Sequence, residues 1–225
     1  MASIIRHFAH PHPLVRSQYS SKAGHHCDIC GLKLAGLDGY RCSKCDFDIH
    51  DVCAEYFKDS ISFFAHPWHT LKLSRMPSSY VVGWTCDLCQ DDALPGSLAY
   101  RCIECMFDVH PLCTMLPQTI RSSLHPKHDL CMTPGTGTCS ACEESLPIWH
   151  YRCGLCLIKL DIGCAFANNE STTTSSTSQS IVASRPSRRR RVGKFLLKGA
   201  FRLAIDTATG GLGSPVLDVL SAVLD

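Results

Sequence analysis

Residues 40–53 read Tyr40-Arg41-Cys42-Ser43-Lys44-Cys45-Asp46-Phe47-Asp48-Ile49-His50-Asp51-Val52-Cys53. A C-x-x-C pair sets two thiols on one turn, and His50 with Cys53 adds an imidazole and a further thiol. Sulfur and nitrogen are the donors a tetrahedral structural zinc takes, and an adjacent thiol pair puts two thiolates on one metal. The same grammar returns at Tyr100-Arg101-Cys102 with Cys105, Phe107, His110 and Cys113. It returns again at Tyr151-Arg152-Cys153 with Cys156, Ile158, Asp161 and Cys164, where Asp stands in the place of His.

Upstream of each block lies a second thiol pair, Cys27/Cys30, Cys86/Cys89 and Cys139/Cys142. Ahead of these come three related openings: His10-Pro11-His12-Pro13-Leu14, His66-Pro67-Trp68-His69 with Leu71, and His125-Pro126-Lys127-His128 with Leu130. So many matched positions in one order define a threefold internal repeat, which has to be recognised before any fold is assigned.

The chain has 225 residues with 16 Cys and 12 His, far above average usage, and the cysteines stop at Cys164. Paired spacing with matching histidines argues for zinc and against a disulfide scaffold, whose bridges join cysteines distant in sequence. Met1 to Arg16 holds three His, two Pro and two Arg, with no apolar run of a secretory signal. These features predict an intracellular protein, in nucleus or cytoplasm or peripherally on a membrane.

Charge is uneven. Residues 1–180 carry 14 Lys+Arg against 17 Asp+Glu, and residues 181–225 carry 8 against 3. An acidic body with thiolate sites repels nucleic acid, and a basic tail attracts anions.

The ordered HP-x-H opening, Tyr-x-Cys and C-x-x-C-x-x-x-x-H-x-x-C block resemble the divergent C1 domain family, Cys/His-rich zinc modules found in tandem in plant proteins. The resemblance spans about residues 7–166. It implies small metal-stabilised β-rich modules of C1-like zinc fold in tandem: module 1 over 7–65, module 2 over 66–124 and a third, less complete module over 125–167. A Ser/Thr-rich linker (168–184) and a basic, amphipathic α-helical tail (185–225) follow.

The resemblance also implies two interleaved zincs per module, about five to six per chain. One site of module 1 is then Cys27, Cys30, His50 and Cys53; in module 2 the counterpart is Cys86, Cys89, His110 and Cys113. The second site of module 1 takes His12, Cys42 and Cys45. The final Cys of a C1 domain is missing, since position 61 is Ile. The next donor along the chain is His66, so the modules are expected to share a border histidine. By the same logic His69, Cys102 and Cys105 are completed by His125. Module 3 is expected to use Cys139, Cys142, Asp161 and Cys164, carboxylate oxygen being an accepted zinc ligand. Its second site has His128, Cys153 and Cys156, with Cys131, His150, water or nothing in fourth place.

Other residues read as packing. Tyr40, Tyr100, Tyr151, Phe47 and Phe107 keep a fixed offset from the donors and fill small cores. His7, His25 and His26 fall off the repeat, which predicts exposed loops. Cys153-Gly154-Leu155-Cys156 occupies a metal slot and lacks the βαβ context of a redox pair. Short hairpins are expected, with one helical turn near each of His50, His110 and Asp161, and folding is expected to depend on metal.

In the tail, Arg185 and Arg188–Arg191 precede a basic amphipathic pattern, in which Lys194, Lys198 and Arg202 oppose Phe195, Leu196, Ala200 and Leu203. A second apolar stripe begins at Ser214-Pro215. Charges interrupt both before they reach membrane-spanning length. Protein partners are expected for the modules, and an anionic membrane surface or nucleic acid for Arg185–Arg202. Diacylglycerol is not expected, because Asp38 stands where lipid-sensing C1 domains carry the Gln of a Gln-Gly pair. The resulting expectation is a noncatalytic zinc-binding interaction or signalling protein, in plant stress or defence by family resemblance. The alternative is a lipid- or nucleic-acid-responsive regulator that works through the tail.

Overall fold

A computed structural model describes residues 3–77, 79 and 83–166. The expected linker and helical tail lie outside the described residues. The chain divides into two compact units, one holding Met1–Leu116 and the other beginning at Pro117.

The first unit opens with β1 (Ile4–Ile5), β2 (Leu14–Gln18), β3 (Asp38–Cys42) and β4 (Asp48–His50), followed by α1 (Asp51–Tyr56). The four strands form one antiparallel sheet in chain order. Leu14 sits opposite Cys42, which places the residues just before Leu14 beside the second thiol pair. Leu14, Leu34, Phe47 and Ile49 fill a small core.

A second sheet continues the same unit. Its elements are β5 (Ser60–Phe63), β6 (His66–Arg75), β7 (Trp84–Thr85), β8 (Asp92–Ala93), β9 (Leu98–Cys102) and β10 (Phe107–Val109), with a 3-10 turn at Leu112–Met115. Strands β5-β6-β9-β10 form the sheet, and β7 pairs with β8 as a separate ribbon. The second unit repeats the plan with β11 (Thr119–Ser122), β12 (His125–Pro134), β13 (Trp149–Cys153), β14 (Lys159–Leu160) and α2 (Ile162–Ala165). Helical turns therefore follow His50, His110 and Asp161, as expected from the repeat.

The module borders differ from the expected ones at residues 66 and 125. Strands β5 and β11 precede the HP openings and pair with β6 and β12, so residues 60–63 and 119–122 belong to the second and third sheets. The first sheet likewise starts before residue 7, at β1. A ten-residue strand needs backbone partners, and the segment that turns back at its head supplies them. In the second and third sheets the HP signature marks a strand start within a sheet.

Two modules share the first unit without sharing a donor. The Tyr100 hydroxyl donates to the Lys58 carbonyl at 2.7 Å and accepts from the Lys58 amide at 3.0 Å. Arg75, at the end of β6, reaches Asp28 at 3.8 Å and lies 5.8 Å over the Phe47 ring. In the second unit Tyr151 donates to the Pro117 carbonyl at 2.6 Å, the equivalent of the Lys58 clasp. Among the described residues no helix is long and apolar enough to cross a membrane.

Candidate metal centres

The upstream thiol pairs sit on tight turns. The Gly31 amide bonds the Cys27 carbonyl, and the Gln90 and Glu143 amides do the same for Cys86 and Cys139. Each turn ends on a residue of positive φ, a conformation that costs least for glycine: Gly31 at 75°, Gln90 at 61° and Glu143 at 61°. The residue after the first cysteine then clamps the strand that leads to the third donor. Asp28 and Asp48 exchange two bonds, Asp28 N–H to the Asp48 carbonyl and Asp48 N–H to the Asp28 carboxylate. Asp87 and Asp108 repeat the clamp, and Ser140 with Lys159 repeats it through a hydroxyl. These clamps carry Cys27/Cys30 to His50, Cys86/Cys89 to His110 and Cys139/Cys142 to Asp161.

The first type of centre follows. Cys27, Cys30, His50 and Cys53, all buried, place their donor atoms within 4.8 Å of one another, and so do Cys86, Cys89, His110 and Cys113, with His110 half-buried. His50 Nδ1 lies 3.4 Å from Cys30 Sγ and 3.6 Å from Cys53 Sγ, while its Nε2 meets the Lys33 carbonyl at 3.0 Å. A carbonyl on the far nitrogen fixes the tautomer that leaves Nδ1 free for a metal. His110 Nδ1 stands 3.4 Å and 3.8 Å from Cys89 and Cys113. In the third module the Asp161 carboxylate faces Cys142 Sγ at 3.2 Å and accepts from the Cys164 amide at 2.8 Å.

The second type uses two histidines and two thiols. His10, His12, Cys42 and Cys45 converge, as do His66, His69, Cys102 and Cys105, and His125, His128, Cys153 and Cys156. This corrects the border-histidine expectation at the first two sites and the fourth-donor expectation at the third. The group of His12, Cys42 and Cys45 is completed by His10 and not by His66. The group of His69, Cys102 and Cys105 is completed by His66 and not by His125. For His128, Cys153 and Cys156 the fourth donor is His125, where Cys131, His150, water or nothing had been expected.

The reason lies in the strands. His66 pairs with Phe63 and His125 with Ser122 in the hairpins of their own sheets. His66 also stacks on Phe107 at 4.9 Å and 13°, as His10 stacks on Phe47 at 4.2 Å and 10°. His150 is buried with Nδ1 on the Pro147 carbonyl, and Cys131 is exposed beside the Thr119 hydroxyl.

These donor sets fit zinc. Bonds of ~2.3 Å to sulfur and ~2.0–2.1 Å to nitrogen at tetrahedral angles put an S and an N donor ~3.6 Å apart and two N donors ~3.3 Å apart. The S to N separations at His12, His69 and His128 run from 3.2 to 3.6 Å, and His128 Nδ1 lies 3.3 Å from His125 Nε2. The Nε2 atoms of His10 and His66 are buried with no hydrogen-bond partner, as expected of nitrogens that a metal would satisfy.

Electrostatics points the same way. Burial opposes ionisation of Cys27, yet hydrogen bonds from Cys30, Cys53 and His50 outweigh it and hold that thiol well below its usual value. Burial and the Cys27 charge drive Cys30 well above its own, and bonds to Cys27 and Cys30 do the same to Cys53. Cys86 falls and Cys113 rises in the second module for the same causes. Three thiols in one buried site cannot all ionise without a cation among them.

Two features escaped the sequence reading. His7 and His25 were expected in exposed loops with His26. His26 is exposed, but His7 is buried, and His25 Nδ1 lies 2.9 Å from Asp48, itself held by the Tyr19 hydroxyl at 2.7 Å. His7 follows Ile5 by two residues as Phe63 follows Ile61, so it occupies a core position; comparing these offsets could have found it. The Asp28, Asp87 and Ser140 clamps carried their own signal, a small polar residue after the first cysteine of each upstream pair.

Interleaved thiol and imidazole clusters on four-stranded sheets define a class of small β modules with metal-binding centres. Residues 8–54 and 64–114 each match the family model described as C1 domain. Two tandem stretches of the chain are thus similar to C1 domains, and its Cys/His-rich character is consistent with a divergent C1-domain protein. The third sheet, beyond the matched residues, repeats their topology and clusters. Comparison with curated proteins and with solved structures found no match.

Proposed function

We propose that the protein is a noncatalytic zinc-binding protein that presents its C1-type modules as a protein-interaction surface in signalling. The observation that carries this is closure: each centre gathers four protein donors, whereas catalytic zinc keeps a position for water or substrate. Among the described residues five such four-donor groups have all their donor atoms within 4.8 Å of one another, and Asp161 with Cys139, Cys142 and Cys164 makes a further one.

A contact surface is supported by apolar side chains that the small cores leave outside. Ile103 (77% exposed), Met106 (75%) and Trp68 (75%) surround the second-type centre of module 2, and Leu155 (81%) and Leu157 (93%) stand at that of module 3. Apolar residues held on a rigid turn mark a contact surface. The family resemblance supports plant stress or defence as the setting. The charge of residues 181–225, 8 Lys+Arg against 3 Asp+Glu, supports a second reading in which Arg185–Arg202 engages anionic lipid or nucleic acid.

Metal analysis of the purified chain tests the first reading. Close to six zincs per chain are expected, and His66→Ala should lose one from module 2 while module 1 stays loaded. Fewer than about four zincs, or a loss from module 1, would defeat the donor assignment. For the surface, partners cross-linked to the native chain should be lost with Ile103→Ser/Met106→Ser/Leu155→Ser/Leu157→Ser. Vesicle or DNA binding that disappears on truncation after Ser184 would favour the second reading.

A further inference from the structure

We infer that Cys139, Cys142, Asp161 and Cys164 form an exchangeable zinc site, from which metal leaves while the other centres of the described chain stay filled. The inference rests on the zinc reading above and concerns how one site differs from its repeats.

Asp161 holds the position of His50 and His110. An imidazole suits zinc well, whereas carboxylates are harder donors that also serve Mg and Ca, and an Asp in this place leaves the site one negative charge richer. One oxygen of Asp161 is committed to the Cys164 amide at 2.8 Å, capping α2, so the other, 3.2 Å from Cys142 Sγ, is the oxygen left for metal. The imidazoles it replaces are supported differently: His50 Nε2 is anchored on the Lys33 carbonyl, and His110 packs against Trp84 at 4.8 Å. Loss of such outer support costs a metal site affinity.

Access differs as well. Cys30, Cys53, Cys89 and Cys113 are at most 8% exposed, while Cys142 is exposed and Cys164 half-buried. Cys45 and Cys105 are also exposed, but there the partners include His10 and His66, stacked on Phe47 and Phe107. The third module alone combines an open thiol with a carboxylate in the histidine position. A competing ligand can attack the metal from the Cys142 side without first unfolding the core built on Leu130, Tyr151 and Leu160.

The test uses the full zinc-loaded chain, a chelator of moderate affinity and pulsed thiol alkylation read by mass spectrometry. One equivalent of zinc should leave in a separate phase, ~10- to 100-fold faster than the rest, the scale of effect that loss of a metal-site partner produces. Cys142 and Cys164 should be alkylated during that phase, before Cys30, Cys53, Cys89 or Cys113. Asp161→His should merge the fast phase with the slow one. Release in a single phase, early alkylation at Cys45 or Cys105 instead, or an unchanged fast phase in Asp161→His would overturn the inference. If that variant does not fold, the labelling order in the native chain decides. A chain that carries no zinc defeats the zinc reading itself, whereas a fully loaded chain with one release phase defeats only the exchangeable site.

Discussion

At the scale of single residues, the donors work because their neighbours hold them. Phe47 and Phe107 stack on His10 and His66, and carbonyl or aromatic partners orient His50 and His110. Tyr100 acts through its hydroxyl on the Lys58 backbone. Tyr100→Phe should therefore cost about 1 kcal/mol, the usual net worth of a lost internal hydrogen bond, in chemical denaturation of the zinc-loaded chain. Burial pushes the Tyr100 phenol up from 10.0 to about 12, so the folded state favours the protonated form. That contribution is complete below the ordinary value and is lost as pH rises from about 10 through 12. A stability profile measured over this range should fall for the native chain and be flatter for Tyr100→Phe. Tyr100, Tyr151 and Phe47 were legible as core packing from their fixed offset, while Tyr40 and Phe107 are half-buried; the hydroxyl clasp was not legible, because its partner lies 42 residues away.

At the scale of elements, strand pairing decides which donors meet. Gly39 faces His50 across β3 and β4, and a Cβ there would come within 2.3 Å of the Ile49 carbonyl oxygen. Gly39→Ala should push β4 away, destabilise the first module by roughly 1–3 kcal/mol as overpacking does, and lower its zinc content. Gly154 has no atom within 4 Å of such a Cβ, so Gly154→Ala should leave stability and zinc content unchanged. An equal loss in both variants would show that the β3–β4 contact does not position His50. The helical turns after His50, His110 and Asp161 were legible from spacing. The strands ahead of each HP opening were not, because a strand that forms only by pairing has no strong local pattern.

At the scale of the whole molecule, three four-stranded sheets among the described residues each carry two donor clusters around a thin core. Cores such as Leu14, Leu34 and Ile49 are small, and metal is expected to supply much of the folding free energy. Excess chelator should abolish the far-UV signal of strands over residues 10–164, and zinc should restore it. A spectrum indifferent to chelator would show that the sheets stand without metal. The two modules of the first unit are joined by Tyr100 and Arg75 and share no donor cluster, so loss of metal from one module should not drain the other.

The resemblance to the divergent C1 family implied the interleaving of the first-type centres, and the sequence by itself determined the threefold repeat, the donor residue types and the position of Asp161 in that repeat. These are local spacings, and local spacing is what a sequence displays. Only the tertiary structure decided that His10, His66 and His125 each complete a centre in their own module. Nearness along the chain favoured handing a histidine across the border. Hairpin pairing at Phe63 and Ser122 and ring stacking on Phe47 and Phe107 hold each histidine at home, and contacts of that kind exist only once the sheets have formed.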